Sequence, residues 1–139
     1  MWISFACLLL LSATVSSMNG PHNKFVKQHI IKKMNVNRCD KEMGRKEITE
    51  TDSSTCKDTN TFILATSREV TKVCGKAGKP YDGGLTISTQ PFPIVVCRLK
   101  TGNNKPKCQY KGKSDTRYIV IRCEGKYPVH FAKDVFSLG

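Results

Sequence analysis

The sequence predicts an α+β domain with three short helices, a twisted antiparallel sheet and three disulfides. Three observations lead to this prediction. Stretches with helical spacing come first along the chain, β-branched runs separated by turn residues follow, and six cysteines are spread over both parts. Helices grouped before strands, rather than alternating with them, are typical of the α+β class.

Residues 1–20 are interpreted as a secretory signal peptide. They contain no Asp, Glu, Lys or Arg, and the apolar residues 2–11 are followed by small and polar residues that end at Ser17. This order is typical of a signal peptide, cleaved here at about residues 17–20, and the apolar run is shorter than the roughly 20 residues of a membrane span. A retained interfacial anchor is the alternative. We therefore expect a secreted, extracellular domain over residues 21–139.

Removal of the leader takes Cys7 with it and leaves six cysteines. These are Cys39, Cys56, Cys74, Cys97, Cys108 and Cys123. Six cysteines in a secreted domain of this size predict three disulfides, with 15 pairings open from the sequence alone. The alternative is a zinc site, but successive cysteines are 11 to 23 residues apart and no Cys-x-x-Cys or Cys-x-x-His occurs.

The domain carries the whole net charge of the chain. All 23 Lys and Arg and all 11 Asp and Glu lie after the leader, which gives a net charge of +12. Such a charge implies a polyanionic partner, which is nucleic acid, an acidic glycan or an anionic membrane surface. The charge alone does not choose among these partners.

Three helices are predicted in the first half of the domain. Phe25 and His29 are four residues apart, so they share one face of the first helix, and Phe25 and Val26 are expected to dock it on the core. Pro21 and Asn23 are start signals for this helix. The predicted ranges are Asn23–Lys33, about Arg38–Lys46 and Thr66–Val73.

A loop and then strands are predicted after Cys74. Residues 75–84 are rich in turn-forming residues and are interpreted as a loop. The period-two and β-branched runs that follow predict an antiparallel meander. Its strands are Leu85–Ser88, Ile94–Leu99, Lys107–Tyr110, Tyr118–Cys123 and Val129–Phe136, with turns at residues 101–104, 113–115 and 124–126.

Three distant segments combine two imidazoles with an ammonium group. They are Lys24-Phe25-Val26-Lys27-Gln28-His29, Cys56-Lys57-Asp58-Thr59-Asn60-Thr61-Phe62 and Pro128-Val129-His130-Phe131. Cleavage of RNA by its own 2′-hydroxyl needs a base, an acid and a cation, and imidazole exchanges protons near neutral pH. A lone histidine is more often structural, as we expect for His22. Through these three segments together, the chain resembles the pancreatic-type ribonuclease (ribonuclease A) superfamily over nearly everything after the leader.

The resemblance implies a ribonuclease A-like fold and a role for each matched residue. His29 is expected to be the general base, His130 the general acid, and Lys57 the cation that stabilises the phosphorane-like transition state. The resemblance implies no metal or other cofactor, since Lys57 supplies the charge. The substrate-binding residues that it implies are Gln28, Asn60, Thr61, Phe131, Lys24, Lys27 and Glu124.

These substrate-binding residues are expected to act on different parts of the RNA. Thr61 resembles the residue that reads a pyrimidine, through its backbone N–H and a hydroxyl that both donates and accepts, with Phe131 beside the base. Gln28 is expected at the phosphate, Asn60 as a brace of the site, and Glu124 near the next base. Lys24 and Lys27 either meet neighbouring phosphates or form a solvated helix face.

Two departures refine the resemblance. Many relatives have aspartate after the His-Phe pair, where this chain has Ala132; we expect a working but slower enzyme, with Asp134 able to compensate only if the backbone bends. The loop after the third helix lacks the cysteine of a fourth disulfide, and this makes the angiogenin-like three-disulfide branch the closer match. The resemblance implies the pairs Cys39–Cys97, Cys56–Cys108 and Cys74–Cys123.

The function expected is cleavage of single-stranded RNA or tRNA on the 3′ side of pyrimidines through a 2′,3′-cyclic phosphate, by a monomer. The alternative is a cationic effector, bactericidal or angiogenic, that acts mainly by binding membranes or cell-surface glycans. A cell-binding or nuclear-import patch at Arg45 and Lys46, with Arg38 and Lys41 nearby, is weighed against a solvated helix face, which we favour because Asp40 and Glu42 interrupt it.

Overall fold

The computed structural model describes residues 20–138, and in this range the predicted α+β class is confirmed. The helices are α1 (residues 20–29), α2 (Cys39–Arg45) and α3 (Ser67–Thr71). The strands are β1 (Thr59–Ile63), β2 (Gly78–Tyr81), β3 (Leu85–Ser88), β4 (Phe92–Thr101), β5 (Gln109–Glu124) and β6 (Tyr127–Val135). Short 3-10 helices cover Val36–Arg38, Lys72–Cys74 and Asp82–Gly84.

Strand β5 is the centre of the antiparallel sheet. Residues 109–117 of β5 pair with β4, and β4 pairs in turn with β1. Residues 118–124 pair with β6, and residues 120 and 121 within them also pair with β3, which carries β2 at the edge. One continuous strand therefore joins two parts of the sheet, the first extending to β1 and the second to β6.

Two clusters of buried side chains form the core. The first packs α1 and α3 against the sheet and includes Phe25, Ile63, Val70, Ile94, Ile119 and Ile121. The second packs α2 against β1, β4 and β5 and includes Met43, Ile48, Phe62, Val95 and Tyr110. Phe25 is 2% exposed and contributes roughly 1.5–3 kcal/mol by burial, so it docks α1 as predicted.

Three disulfides cross-link the domain. Cys39–Cys97 joins α2 to β4, Cys56–Cys108 joins the segments that precede β1 and β5, and Cys74–Cys123 joins the chain after α3 to β5. These are the pairs that the resemblance implies. The sulfur atoms are bonded to each other and are therefore not zinc ligands.

Helix α1 ends four residues earlier than predicted. The chain leaves the helix after His29, because Ile30 forms a parallel bridge with Ile63 and Ile31 N donates to Ile63 O at 3.2 Å. The prediction that the helix reaches Lys33 is wrong. Pairing with β1 supplies the hydrogen bonds that a longer helix would have made.

Two predictions about the strands need correction, and one strand was missed. Residues 75–84 were predicted as a loop but include β2, which is an edge strand. An edge strand tolerates Pro80, because the side of the strand without a partner requires no N–H donor. Residues 113–115 form no turn, since they pair with β4 and β5 runs straight through them. Strand β1 was not predicted, because its residues were interpreted only as a motif.

No helix within residues 20–138 is both long enough and apolar enough to cross a membrane. The predicted signal peptide lies, apart from Gly20, outside the described residues, and its cleavage stays a prediction.

Candidate active site

A cleft of about 450 Å³ lies between α1, the loop that joins α2 to β1, and β6. Six residues singled out in the sequence line it: Lys24, Lys27, Gln28, His29, Lys57 and His130. Segments from both ends and the middle of the domain therefore meet at one surface. The two imidazoles and the ammonium group that were predicted to act together share this cleft.

His29 is the most constrained of these groups. It is 7% exposed, and its Nδ1 lies 2.9 Å from Thr61 O. A carbonyl oxygen only accepts, so Nδ1 donates this bond and the neutral ring keeps its lone pair on Nε2. The ring centroid lies 5.3 Å from those of Phe25 and Phe131.

Burial lowers the pKa of His29 from 6.5 to about 4. The hydrogen bond to Thr61 opposes this effect, while the positive charges of Lys57 and His130 add to it. The imidazole is therefore neutral at pH 7, which is the state that a general base requires.

Lys57 is half-buried and is connected to α1 through Asn60. Lys57 Nζ donates to Asn60 Oδ1 at 3.0 Å, and Asn60 Nδ2 donates to Gln28 O at 2.9 Å. The Tyr110 hydroxyl donates to Lys57 O at 2.7 Å and holds the backbone. Asn60 is 1% exposed, and its two hydrogen bonds connect the ammonium to the helix residue next to His29.

Burial also lowers the pKa of Lys57 from its ordinary value of 10.5. The carboxylate of Glu50 acts in the opposite direction and raises this pKa, whereas the ammonium of Lys24 lowers it. Partial desolvation strengthens the interaction of this cation with any charge that enters the cleft.

His130 and Phe131 come from the bulged part of β6. His130 is exposed and lies opposite Arg122 in the register, where Val129 is the extra residue. The Phe131 ring stacks on His29 with an interplanar angle of 29°. Thr61 is 5% exposed, and both Thr61 and Phe131 contact His29 but are not among the residues that line the cleft.

The position after Phe131 bears on the orientation of His130. Ala132 is the extra residue of a second bulge, because Val120 pairs with Lys133 and Ile121 with Phe131. Asp134 Oδ1 lies 3.7 Å from Arg117 Nε, so its carboxylate is directed to that guanidinium. The backbone does bend here, yet Asp134 is engaged elsewhere.

Three charged residues of the cleft were not placed there by sequence reasoning. Lys46 Nζ donates to Lys27 O at 3.0 Å, and burial lowers the pKa of Lys46, with the charge of Arg45 as a further cause. Glu47 and Glu50 line the wall formed by the loop after α2. The only signal was a group of acidic residues between α2 and Cys56, which does not reveal what they face.

Other residues considered in the sequence lie outside the cleft lining. Glu124 is exposed at the end of β5, opposite Tyr127. His22 Nδ1 lies 2.9 Å from Pro128 O, and its ring centroid is 5.0 Å from that of Tyr127, so this histidine connects α1 to β6.

Two arginines at the ends of α2, Arg38 and Arg45, form ion pairs with Glu42. Glu42 is 1% exposed and accepts from Arg38 Nη2 at 2.7 Å and from Arg45 Nη2 at 2.6 Å. Burial acts to raise the pKa of Glu42, but hydrogen bonds from the two arginines outweigh it and lower the pKa. The side chains of Arg38 and Arg45 stay 40% and 60% exposed, so the face is solvated while both guanidinium groups pair with Glu42. Their spacing of four and three residues from Glu42 was the signal for these pairs.

Within residues 20–138, no group of three or more His, Cys, Asp or Glu side chains is placed to hold a metal ion. The cleft instead collects two histidines and four lysines around a space that an anion can enter.

Comparisons with known proteins agree with this architecture. A model of the pancreatic ribonuclease family matches residues 20–132. Angiogenin-4 of Mus musculus is 36% identical over 136 residues, which cover 96% of this chain and 92% of the relative. Ribonuclease-like 3 of Danio rerio is 34% identical over 137 residues, covering 92% of each chain.

Solved structures show the same relationship. The X-ray structure of zebrafish RNase5 is similar to this chain with a TM-score of 0.81 and 47% identity, covering 83% of this chain and 94% of the other. Green turtle egg white ribonuclease has a TM-score of 0.74 and 34% identity, covering 83% of this chain and 98% of the other. The chain therefore belongs to the pancreatic ribonuclease family, in its angiogenin-like three-disulfide branch, and it is a ribonuclease.

Proposed function

We propose that this protein is a secreted endoribonuclease that cleaves single-stranded RNA, tRNA included, on the 3′ side of pyrimidines through a 2′,3′-cyclic phosphate. It acts without a metal or another cofactor, as a monomer. The observation that carries this proposal is the buried, neutral His29 in the same cleft as Lys57 and His130. These groups supply the base, the cation and the acid that the reaction needs.

In the first step, His29 Nε2 removes the proton of the 2′-hydroxyl, and the 2′-oxygen attacks phosphorus. The Thr61 carbonyl holds the ring so that Nε2 faces the substrate while Nδ1–H remains bonded. Lys57 stabilises the negative charge that develops on the phosphoryl oxygens. The bond from phosphorus to the 5′-oxygen breaks, and His130 donates a proton to that oxygen. Hydrolysis of the cyclic phosphate by water then uses the two histidines in exchanged roles.

The preference for pyrimidines is assigned to Thr61, with Phe131 beside the base. Thr61 is held on β1 by pairing with Val96 of β4, and its carbonyl is occupied by His29. Its backbone N–H and hydroxyl are the groups proposed to pair with the pyrimidine edge. Gln28 and the Phe131 backbone are assigned to the phosphate, Lys24 and Lys27 to the neighbouring phosphates, and Glu124 to the next base.

The decisive experiment is cleavage of a short RNA that contains one pyrimidine, in excess EDTA. We expect the parent to cut after that pyrimidine, while His29→Ala and Lys57→Ala each lose about 10²-fold or more in kcat/KM. Thr61→Ala is expected to fold and to cut with weaker base preference. No cleavage by the parent, or cleavage that EDTA abolishes, would refute this mechanism.

A second function is favoured by the net charge of +12 and by the angiogenin relatives. The same basic surface is proposed to bind anionic membranes or cell-surface glycans, with a bactericidal or angiogenic outcome. Killing of bacteria, or vessel growth, that persists in His130→Ala would show that this effect is independent of catalysis. If His130→Ala loses RNA cleavage and the bactericidal or angiogenic effect together, that effect is a consequence of RNA cleavage.

A further inference from the structure

The loop between α2 and β1 forms a wall of the cleft that contains negative charges. Glu47 and Glu50 line the cleft together with Lys24, Lys27, Lys46 and Lys57. RNA brings phosphates into this space, and each carboxylate opposes their binding. These two glutamates therefore lower the affinity that the four lysines provide.

Glu47 is held in a backbone conformation that glycine adopts at lower cost. Its φ is 52°, in the left-handed region, directly after α2. Glu47 N donates to Gly44 O at 3.0 Å and Ile48 N donates to Met43 O at 2.9 Å, which is a Schellman motif, whose left-handed residue is usually glycine. Glu47 thus carries its carboxylate at a position of the cleft lining where glycine is the less costly residue.

Glu50 is held next to Lys57 by a short hairpin. Thr49 and Cys56 form an antiparallel bridge, and Glu50 N donates to Thr55 O at 3.0 Å. Because Cys56 directly precedes Lys57, this pairing keeps the carboxylate close enough to act on the ammonium. The hairpin is thus a fixed support for the charge.

We propose that Glu47 and Glu50 are specificity-determining residues, which disfavour strands that place several phosphates along this wall and favour RNA that presents a single phosphodiester there. This inference rests on the proposed function, because it takes the cleft as the RNA site. Lys24 and Lys27 attract the neighbouring phosphates, and the two carboxylates offset part of that attraction at each phosphate near the wall. The penalty therefore grows with the length of strand that the cleft holds.

The test compares two substrates in the parent and in Glu50→Gln at low salt. One substrate is a dinucleoside phosphate with a pyrimidine in the first position, and the other is a hexanucleotide with a single pyrimidine. In Glu50→Gln we expect the KM of the hexanucleotide to fall about 3-fold and the KM of the dinucleoside to fall less. The ratio of the two KM values is the readout, because any effect of Glu50 on Lys57 is common to both substrates. Glu47→Gln keeps a non-glycine residue at the positive φ, and it is also expected to lower the KM of the hexanucleotide more than that of the dinucleoside.

Two variants serve as controls. Glu50→Asp keeps the charge and is expected to keep the KM of the parent. Asp82→Asn makes the same change in net charge at an exposed turn outside the cleft lining, and it is expected to leave both KM values unchanged. A hexanucleotide KM that is unchanged in Glu50→Gln, or that falls equally in Asp82→Asn or for both substrates, overturns the inference.

A binding measurement separates this inference from the proposed function. The affinity of each protein for the 2′-deoxy hexanucleotide, which cannot be cleaved, is measured by fluorescence anisotropy. Glu50→Gln is expected to bind about 3-fold more tightly than the parent, and more salt is expected to reduce the difference. If the parent cleaves neither RNA substrate, the proposed function fails. If the parent and Glu50→Gln bind the 2′-deoxy hexanucleotide equally well, the repulsive wall is refuted, whether or not the parent cleaves RNA.

Discussion

His29 is both a core residue and the proposed base. Its ring packs between Phe25 and Phe131, and its Nδ1 donates to Thr61 O, so position, tautomer and protonation state are all set before RNA arrives. The same burial that makes the ring neutral also makes its protonation costly to the fold. A single side chain therefore couples activity to stability.

We expect the free energy of unfolding to decrease as the pH falls from 6.5 toward 4. The folded-state pKa of His29, about 4, lies below its ordinary 6.5, so the unfolded chain binds more protons in this window and lower pH favours it. The shift corresponds to on the order of 3 kcal/mol. Urea denaturation at pH 7 and at pH 4.5 measures this loss of stability. Both pH values lie above the pKa of Asp52, which is about 2.

His29→Gln is the control for this pH dependence. It removes the titrating group, so its stability should change much less between the two pH values. Equal losses of stability in the parent and in His29→Gln would show that other groups cause the pH dependence.

Ala132 gives a second prediction about a single residue. We expect Ala132→Asp to raise kcat for RNA by roughly 10-fold, because a carboxylate at this position would orient the His130 ring. Asp134 does not compete for that role while it faces Arg117. Ala132→Asn, similar in shape but uncharged, is the matched variant and should gain less. An unchanged kcat in Ala132→Asp would mean that His130 is oriented by other contacts.

At the scale of elements, the junction between α2 and β1 determines the shape of the cleft. Helix α2 ends in the Schellman motif at Glu47, and the chain then forms the hairpin around residues 49–56. Asp52 Oδ1 accepts from Thr55 N at 2.8 Å, and its other oxygen accepts from the Thr55 hydroxyl. These hydrogen bonds lower the pKa of Asp52 to about 2. The loop is thus built from local hydrogen bonds.

This element predicts that Glu47→Gly stabilises the protein. Glycine adopts a positive φ without the steric cost that other residues have there, and the expected gain is about 0.5–1 kcal/mol after the greater chain entropy of unfolded glycine is included. Thermal unfolding measures the change. Glu47→Ala also removes the charge but keeps the strained φ, so it should not be stabilising. If Glu47→Gly and Glu47→Ala gain equal stability, the gain comes from removal of the charge and not from relief of the positive φ.

At the scale of the whole molecule, the three disulfides close loops of similar size. The cysteine separations are 58, 52 and 49 residues. Their entropic contributions therefore differ by only about 0.2 kcal/mol, with each disulfide contributing roughly 2–5 kcal/mol. Differences in their effect on activity must then come from what each one holds in the folded state.

We expect removal of Cys56–Cys108, by alanine at both positions, to reduce kcat/KM by about 10-fold or more at a temperature where the protein is folded. This disulfide fixes the backbone next to Lys57. Removal of Cys39–Cys97 is the comparison, since it should cost similar stability with little loss of activity. Equal losses of activity in both would contradict the special role of Cys56–Cys108.

The α+β class, the number of disulfides and the three motif segments were predictable from the sequence. Each follows from local patterns, such as the spacing of Phe25 and His29 or the count of cysteines. The continuity of β5 was not, because Lys113, Ser114 and Asp115 resemble a turn until their pairing with β4 is known. Tertiary hydrogen bonds outweighed local propensity there.

The composition of the cleft was only partly predictable. His29, Lys57 and His130 belong to motifs whose chemistry shows in the residue types. Lys46 and Glu50 enter the cleft because a Schellman motif and a hairpin turn the chain toward α1. Such turns depend on backbone hydrogen bonds between residues that carry no distinctive pattern. The sequence therefore suggested Lys46 only as part of a surface patch and did not suggest Glu50.

The sixteen-residue strand β5 has a mechanical consequence. Lys57 precedes β1, which connects through β4 to the first half of β5, while His130 belongs to β6 on the second half. A motion of the sheet that changes the spacing of these two groups bends β5 and strains its hydrogen bonds. Enzymes that close a lid spend part of each turnover on that motion. We expect the sheet that spaces Lys57 and His130 to move less than such a lid, so that more of the conformational change during turnover falls on the RNA strand.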